Sequence, residues 1–226
     1  MIFLAVLFAH LISDFVLFPK SLAQWKLQSY KGYLVHFSIV LFVTAISLMF
    51  VTPYWLVVTA IVFLFHALID YVKNFIVSEK LILPIFITKH ALDIALPLLV
   101  VYLVFSINIF SGPLKQINAL ALVDGILLSA YFAASFIQAL GRQAKRYSTP
   151  YEIESSYEYL SMVERAALFL IFVFGSATPA LYVAIPIIFI PRIYLQRIQI
   201  FTKYRIDFVI GTFITFLIYL FMKPLL

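Results

Sequence analysis

The sequence predicts an all-α, polytopic transmembrane bundle of about eight helices, and three observations carry that expectation. Of 226 residues, 65% are hydrophobic and 12% charged, with a mean hydropathy of +1.08, whereas a soluble domain carries about a quarter charged residues. Apolar runs recur at the length of a bilayer crossing, roughly 17–25 residues. Basic residues gather in alternate loops, as cytoplasmic segments do. Helices are expected rather than barrel strands, because lipid offers the backbone no partners and period-two alternation is missing.

The first span is read near 2–18. No cleavable signal peptide is expected, since the chain opens on apolar residues without a basic leader and this segment holds His10 and Asp14. Spans two to four fall near 33–51, 55–77 and 90–109, with Pro53 breaking the first pair. The other four fall near 117–140, 162–175, 178–195 and 207–222. Gly112-Pro113, Pro150 and the stretch from Gly175 to Pro179 punctuate them. The sixth is short and the seventh holds Pro186 and Pro191, so seven spans is the rival count. The chain reads as a half at 1–110 and a half at 111–226 within one integrated membrane domain. A cytoplasmic loop is expected at 141–160; its stretch 147–159, with three Glu and four Tyr, reads as an interfacial helix or cap.

Charge orients the bundle. Lys20, Lys26, Lys31, Lys73, Lys80, Lys89, Arg142, Lys145, Arg146, Arg165, Arg192, Arg197, Lys203 and Arg205 fall in alternate loops, leaving only Lys115 and Lys223 elsewhere. Eight spans with both termini outside satisfy that split. The net charge of +6 then reflects contact with anionic headgroups, and no nucleic-acid partner is expected. The chain has no Cys, which excludes disulfides and thiolate metal ligands.

HLISDFV at 10–16 and HALIDYV at 66–72 place His and Asp four residues apart inside apolar runs. That spacing puts both side chains on one helix face. His36 follows the first pair and His90, with Asp93, the second, at separations of 54 and 56 between copies. The order suggests a parallel two-helix repeat about a pseudo-twofold axis along the membrane normal. All four histidines are then expected together, toward the cytoplasmic side. His10, Asp14, His36, His66, Asp70, His90 and Asp93 form a nitrogen-and-oxygen donor set suited to a divalent Zn, Mn or Fe ion. The alternative is plain helix–helix hydrogen bonding, with Asp70 paired to Lys73; ionisable groups this deep more often mark function.

Gln138 and Arg142, with Glu164-Arg165, read either as helix-end ion pairs or as a clamp for an anionic headgroup. Asp124 reads as a neutral, hydrogen-bonded acid. HLISDF, HALIDYVK, MVERAALF and KYRIDFVIGTFITF together resemble a family of bacterial membrane proteins, domain-of-unknown-function family 3307. In that family's pattern a Gln follows the first Asp-Phe where this chain has Phe18, and Asp-Gln-x-x-His opens the fourth helix where this chain has Lys89-His90-Ala-Leu-Asp93. The resemblance implies a polytopic inner-membrane protein and no particular reaction.

Three functions fit the residues. A metal-dependent hydrolase of a lipid or lipid-linked substrate would use the His/Asp set, with Lys73 or Arg142 stabilising anionic oxygen. A transporter or flippase would use the same groups for proton or ion coupling, and a scaffold would use them to hold helices together. Neither His-Glu-x-x-His nor Gly-x-Ser-x-Gly is present.

Overall fold

The computed structural model describes residues 1–17, 20–75, 82–144, 155–175, 177–197 and 205–226, and all regular structure among them is helical. Five helical stretches are long and apolar enough to cross a membrane: Tyr30–Met49, Trp55–Lys73, Ile82–Phe105, Leu114–Gln143 and Asp207–Leu225. Ile2–Val16 and Pro179–Tyr194 are apolar but shorter. Lys80, Lys145, Arg146, Lys203, Phe18, Pro150 and positions 147–154, singled out above, lie outside the described residues.

The chain divides into two compact units, Met1–Leu120 and Ala121–Leu226. In the first, α1 (Ile2–Leu11) is apolar all round and runs into a π-helical turn at Ile12–Val16. Such a helix belongs in a core, and Leu4, Ala5, Val6, Ala9 and Leu11 are all buried. Around it stand α3 (Tyr30–Met49), α4 (Trp55–Phe75) and α5 (Ile82–Phe105), with α1 against α3 and α5, and α4 between α3 and α5. Ile2, Ala5, Val6, Leu48, Val58, Leu98 and Val101 fill the shared interior. Phe42, Ile46, Leu64, Leu68 and Leu103 face outward and exposed, the arrangement expected of helices whose outer solvent is hydrocarbon.

Two boundaries differ from the sequence expectation. The segment after the first run, expected as a loop, is a helix, α2 (Lys20–Gln28), packed on α3. The contact depends on Gly32: a Cβ there would stand 2.6 Å from the backbone of Trp25 and Lys26. Ser29 caps α3 by accepting a hydrogen bond from the Gly32 amide at 3.1 Å. The fourth run, expected from about 90, begins at Ile82, because Leu83 and Ile85 extend the apolar helix past the polar Lys89. His90 and Asp93 are therefore interior to α5 and do not open it.

The boundary between units falls inside α6 (Leu114–Leu127). A second π-helical turn, Leu128–Phe132, joins α6 to α7 (Ala133–Gln143). In the second unit α8 (Ser155–Gly175) packs on that turn, on α9 (Ala184–Arg197) and on α10 (Arg205–Met222). Gly125 permits the close approach, since a Cβ there would meet the Phe169 ring at 2.0 Å.

Candidate functional site

Four helices and a turn of the first unit deliver polar side chains to one place. His10 leaves the end of α1, and Asp14 sits in the π turn that follows. His36 comes from α3, His66 and Asp70 from α4, and Lys89, His90 and Asp93 from α5. His36, His66, Asp70 and Asp93 are each no more than 3% exposed.

The imidazoles meet in two pairs. His10 Nε2 lies 2.9 Å from His90 Nδ1, and His36 Nε2 lies 3.1 Å from His66 Nε2. The ring centroids of His10 and His66 are 5.8 Å apart, so the two pairs adjoin. Pairing runs across the two sequence copies: exchanging 10 with 66 and 36 with 90 turns one pair into the other. The acids follow the exchange only in part. Where α5 carries Lys89 and Asp93 around His90, α3 carries Val35 and Ile39 around His36.

The two His/Asp forks also differ. On α4, His66 Nε2 and Asp70 Oδ2 are 3.5 Å apart, as one turn of α-helix dictates. After α1 the backbone bonds fifth-neighbour to fifth-neighbour, with the Leu17 amide donating to Ile12 O at 2.8 Å. The wider turn accompanies the His10–His90 contact and sets Asp14 Oδ2 4.0 Å from His90 Nδ1. Turns of this kind are commonest at functional sites. Asp14 Oδ1 accepts no hydrogen bond from the described residues and lies 3.7 Å from His36 Nε2 and 3.6 Å from His66 Nε2. Asp70 Oδ2 is 3.3 Å and 3.5 Å from the same two nitrogens.

His36 Nε2, His66 Nε2 and Asp14 Oδ1 thus lie 3.1–3.7 Å from one another, while Asp70 Oδ2 approaches the two nitrogens only. Four ligands about 2.0–2.2 Å from a tetrahedral ion stand roughly 3.3–3.6 Å apart. Asp14, His36 and His66 form one group that could hold a metal ion; His10, Asp14, His90 and Asp93 form a second, and Asp14 is common to both.

Two cations enter the cluster, and neither was expected in it. Lys89 Nζ lies 2.6 Å from Asp14 Oδ2, 2.9 Å from Asp93 Oδ2 and 3.4 Å from Asp70 Oδ1. Lys26, on α2, donates to Asp70 Oδ2. Burial pushes the Lys26 ammonium below the ordinary lysine value, with Asp70 opposing. Both lysines had been counted only as orienting charges in loops. The Lys89–Asp93 spacing of four was a usable signal once α5 is seen to start at Ile82; α2 offered none as clear.

All seven expected donors come together here. Lys73 is exposed on α4, and Asp70 takes its cations from Lys26 and Lys89 instead. Arg142 belongs to the second unit, half-buried on α7.

The other polar landmarks resolve within the second unit. Arg192 Nε donates to Glu164 Oε1 at 3.0 Å and Oε2 at 2.8 Å, and its Nη2 donates to Ser161 Oγ at 2.7 Å. Arg165 does not pair with Glu164 but donates to Ser129 O at 2.8 Å and Ala130 O at 3.0 Å, carbonyls of the π turn. Gln138 donates to Glu158 Oε1 at 2.8 Å. Asp124 is fully buried, and against expectation neither of its oxygens has a hydrogen-bond partner among the described residues.

No curated protein and no solved structure matches the chain. A family model matches residues 2–112, whose description is "Protein of unknown function (DUF3307)". The matched stretch holds every member of the His/Asp/Lys cluster, while the MVERAALF and KYRIDFVIGTFITF stretches lie beyond it. Over residues 2–112, just under half of its length, the chain is similar to the DUF3307 family.

Proposed function

We propose that the chain is a membrane-embedded, metal-dependent hydrolase of a lipid-type substrate, with His36, His66 and Asp14 as ligands of a Zn-class ion. The single observation that carries this reading is that Asp14 Oδ1, His36 Nε2 and His66 Nε2 lie 3.1–3.7 Å from one another, as three ligands of one ion would. Nitrogen and carboxylate oxygen without thiolate suit Zn, Mn or Fe(II). In this reading the protein lies in a bacterial inner membrane with both termini outside, and the cluster opens toward cytoplasmic headgroups.

Charge supports the same chemistry. With neutral imidazoles, the carboxylates of Asp14, Asp70 and Asp93 face the ammonium groups of Lys26 and Lys89, which leaves one negative charge in excess. A divalent ion turns that into one positive charge, which favours hydroxide or an anionic ester. Such an ion supplies a nucleophile by lowering the pKa of a coordinated water toward about 7. Three protein ligands would leave the fourth position of a tetrahedral site open to water, with Asp70, held by Lys26, beside His36 and His66. Lys89 holds Asp14 in place and supplies positive potential beside it.

Metal analysis of detergent-purified protein tests the reading. One equivalent of Zn, Mn or Fe is expected in the wild type, lost in His66→Ala and Asp14→Asn and kept in Lys73→Ala. A wild type that carries no metal and whose thermal unfolding ignores chelators and added zinc rejects it. The near-complete burial of His36 and His66 favours a second reading, a carrier that takes protons or ions through the cluster. Metal-independent proton flux in proteoliposomes, abolished in Asp14→Asn, would select that reading.

A further inference from the structure

We infer that Lys89 is the second cation of this centre, a chain-supplied ammonium seated where the His10/Asp14/His90/Asp93 group would otherwise take a metal, so that the site holds one metal ion and not two. This rests on the metal reading above and concerns its nuclearity.

Two donor groups share Asp14, the arrangement of a bridging carboxylate in a two-metal site. Its two oxygens have different partners. Oδ1 faces His36 and His66, while Oδ2 is 4.0 Å from His90 Nδ1 and 2.6 Å from Lys89 Nζ. The carboxylate of Asp93 also receives that ammonium, at 2.9 Å. An ion bound by Asp14 Oδ2 and Asp93 would lie about 2.0–2.2 Å from each oxygen, in the space the Nζ fills. The two cannot coexist, since like charges at that separation repel across a poorly screened interior. Lys89 is itself buried and held by three carboxylates from three elements, Asp14, Asp70 and Asp93. Its near neighbours His10 and His90 are left bonded to each other. The sequence copies say the same: Lys89 and Asp93 are the features that the first copy lacks.

The experiment is zinc stoichiometry by elemental analysis, on full-length protein loaded with zinc chloride and desalted. One equivalent is expected in the wild type and in Lys89→Arg, and two in Lys89→Gln. Should Lys89→Gln not fold, His10→Ala and His90→Ala keep the idea testable, because each must retain the single equivalent that His36→Ala loses. Two equivalents in the wild type, one in folded Lys89→Gln, or loss of zinc in His10→Ala or His90→Ala overturns the inference while the metal reading stands. A wild type without zinc overturns both.

Discussion

Replacing Glu164 by Ala should be the most damaging single change in the second unit. Arg192 is 1% exposed, and its guanidinium meets both Glu164 oxygens and Ser161 Oγ. Removing the carboxylate leaves a buried charge without its counterion, which costs roughly 3–5 kcal/mol. Ser161 stays, and the guanidinium still lies 4.8 Å from the Tyr157 ring centroid and 4.6 Å from that of Phe208. Desolvated cation–π contacts soften the loss, which places the expected cost near the lower end, about 3 kcal/mol. For a chain of this size that is a fall of about 6–12 °C in melting temperature. Thermal unfolding in detergent, followed by circular dichroism, reads it directly. Fluorescence would not, because both tryptophans, Trp25 and Trp55, belong to the first unit. The double variant Glu164→Leu with Arg192→Met should recover most of the loss, since an apolar replacement of a buried pair is often neutral. An unchanged melting temperature in Glu164→Ala, or a double variant as unstable as the single, refutes the reasoning.

Three further outcomes follow from the packing and the cluster. Gly125→Ala should cost about 1–3 kcal/mol by driving a methyl into the Phe169 ring, and Phe169→Leu in the same chain should restore part of the melting temperature. Gly32→Ala should push α2 off α3 and draw Lys26 from Asp70; faster tryptic cleavage after Lys26, with the first unit still folded, is the readout. Ser29→Ala removes the cap of α3 and should cost about 1 kcal/mol, measured as a small fall in unfolding temperature.

Much of the first unit was legible because bilayers and helices impose simple periods. His66 and Asp70 share a face wherever the segment is helical, so their fork needed no tertiary knowledge. The two copies, each with an imidazole following on the next helix, similarly foretold that His10, His36, His66 and His90 would meet. Asp14 is legible as a member of the cluster, but the turn that carries it is not, since ISDFV has no local feature demanding a π-helical bond pattern. Lys26 and Lys89 were hidden by a rule that reads basic residues as topology markers. Arg192 and Glu164 escaped for another reason: their pairing joins positions 28 residues apart on different helices, a separation that no local periodicity encodes.

By itself the sequence determined that this chain forms apolar helices and that imidazoles and carboxylates recur within them at helical spacing. Those properties are local, set by hydropathy and by 3.6 residues per turn. Only the tertiary structure decided which oxygen of Asp14 faces which nitrogen, and which lysine neutralises which acid. A buried charge takes whatever counter-charge the packing brings within reach, and that choice is made between helices rather than along them.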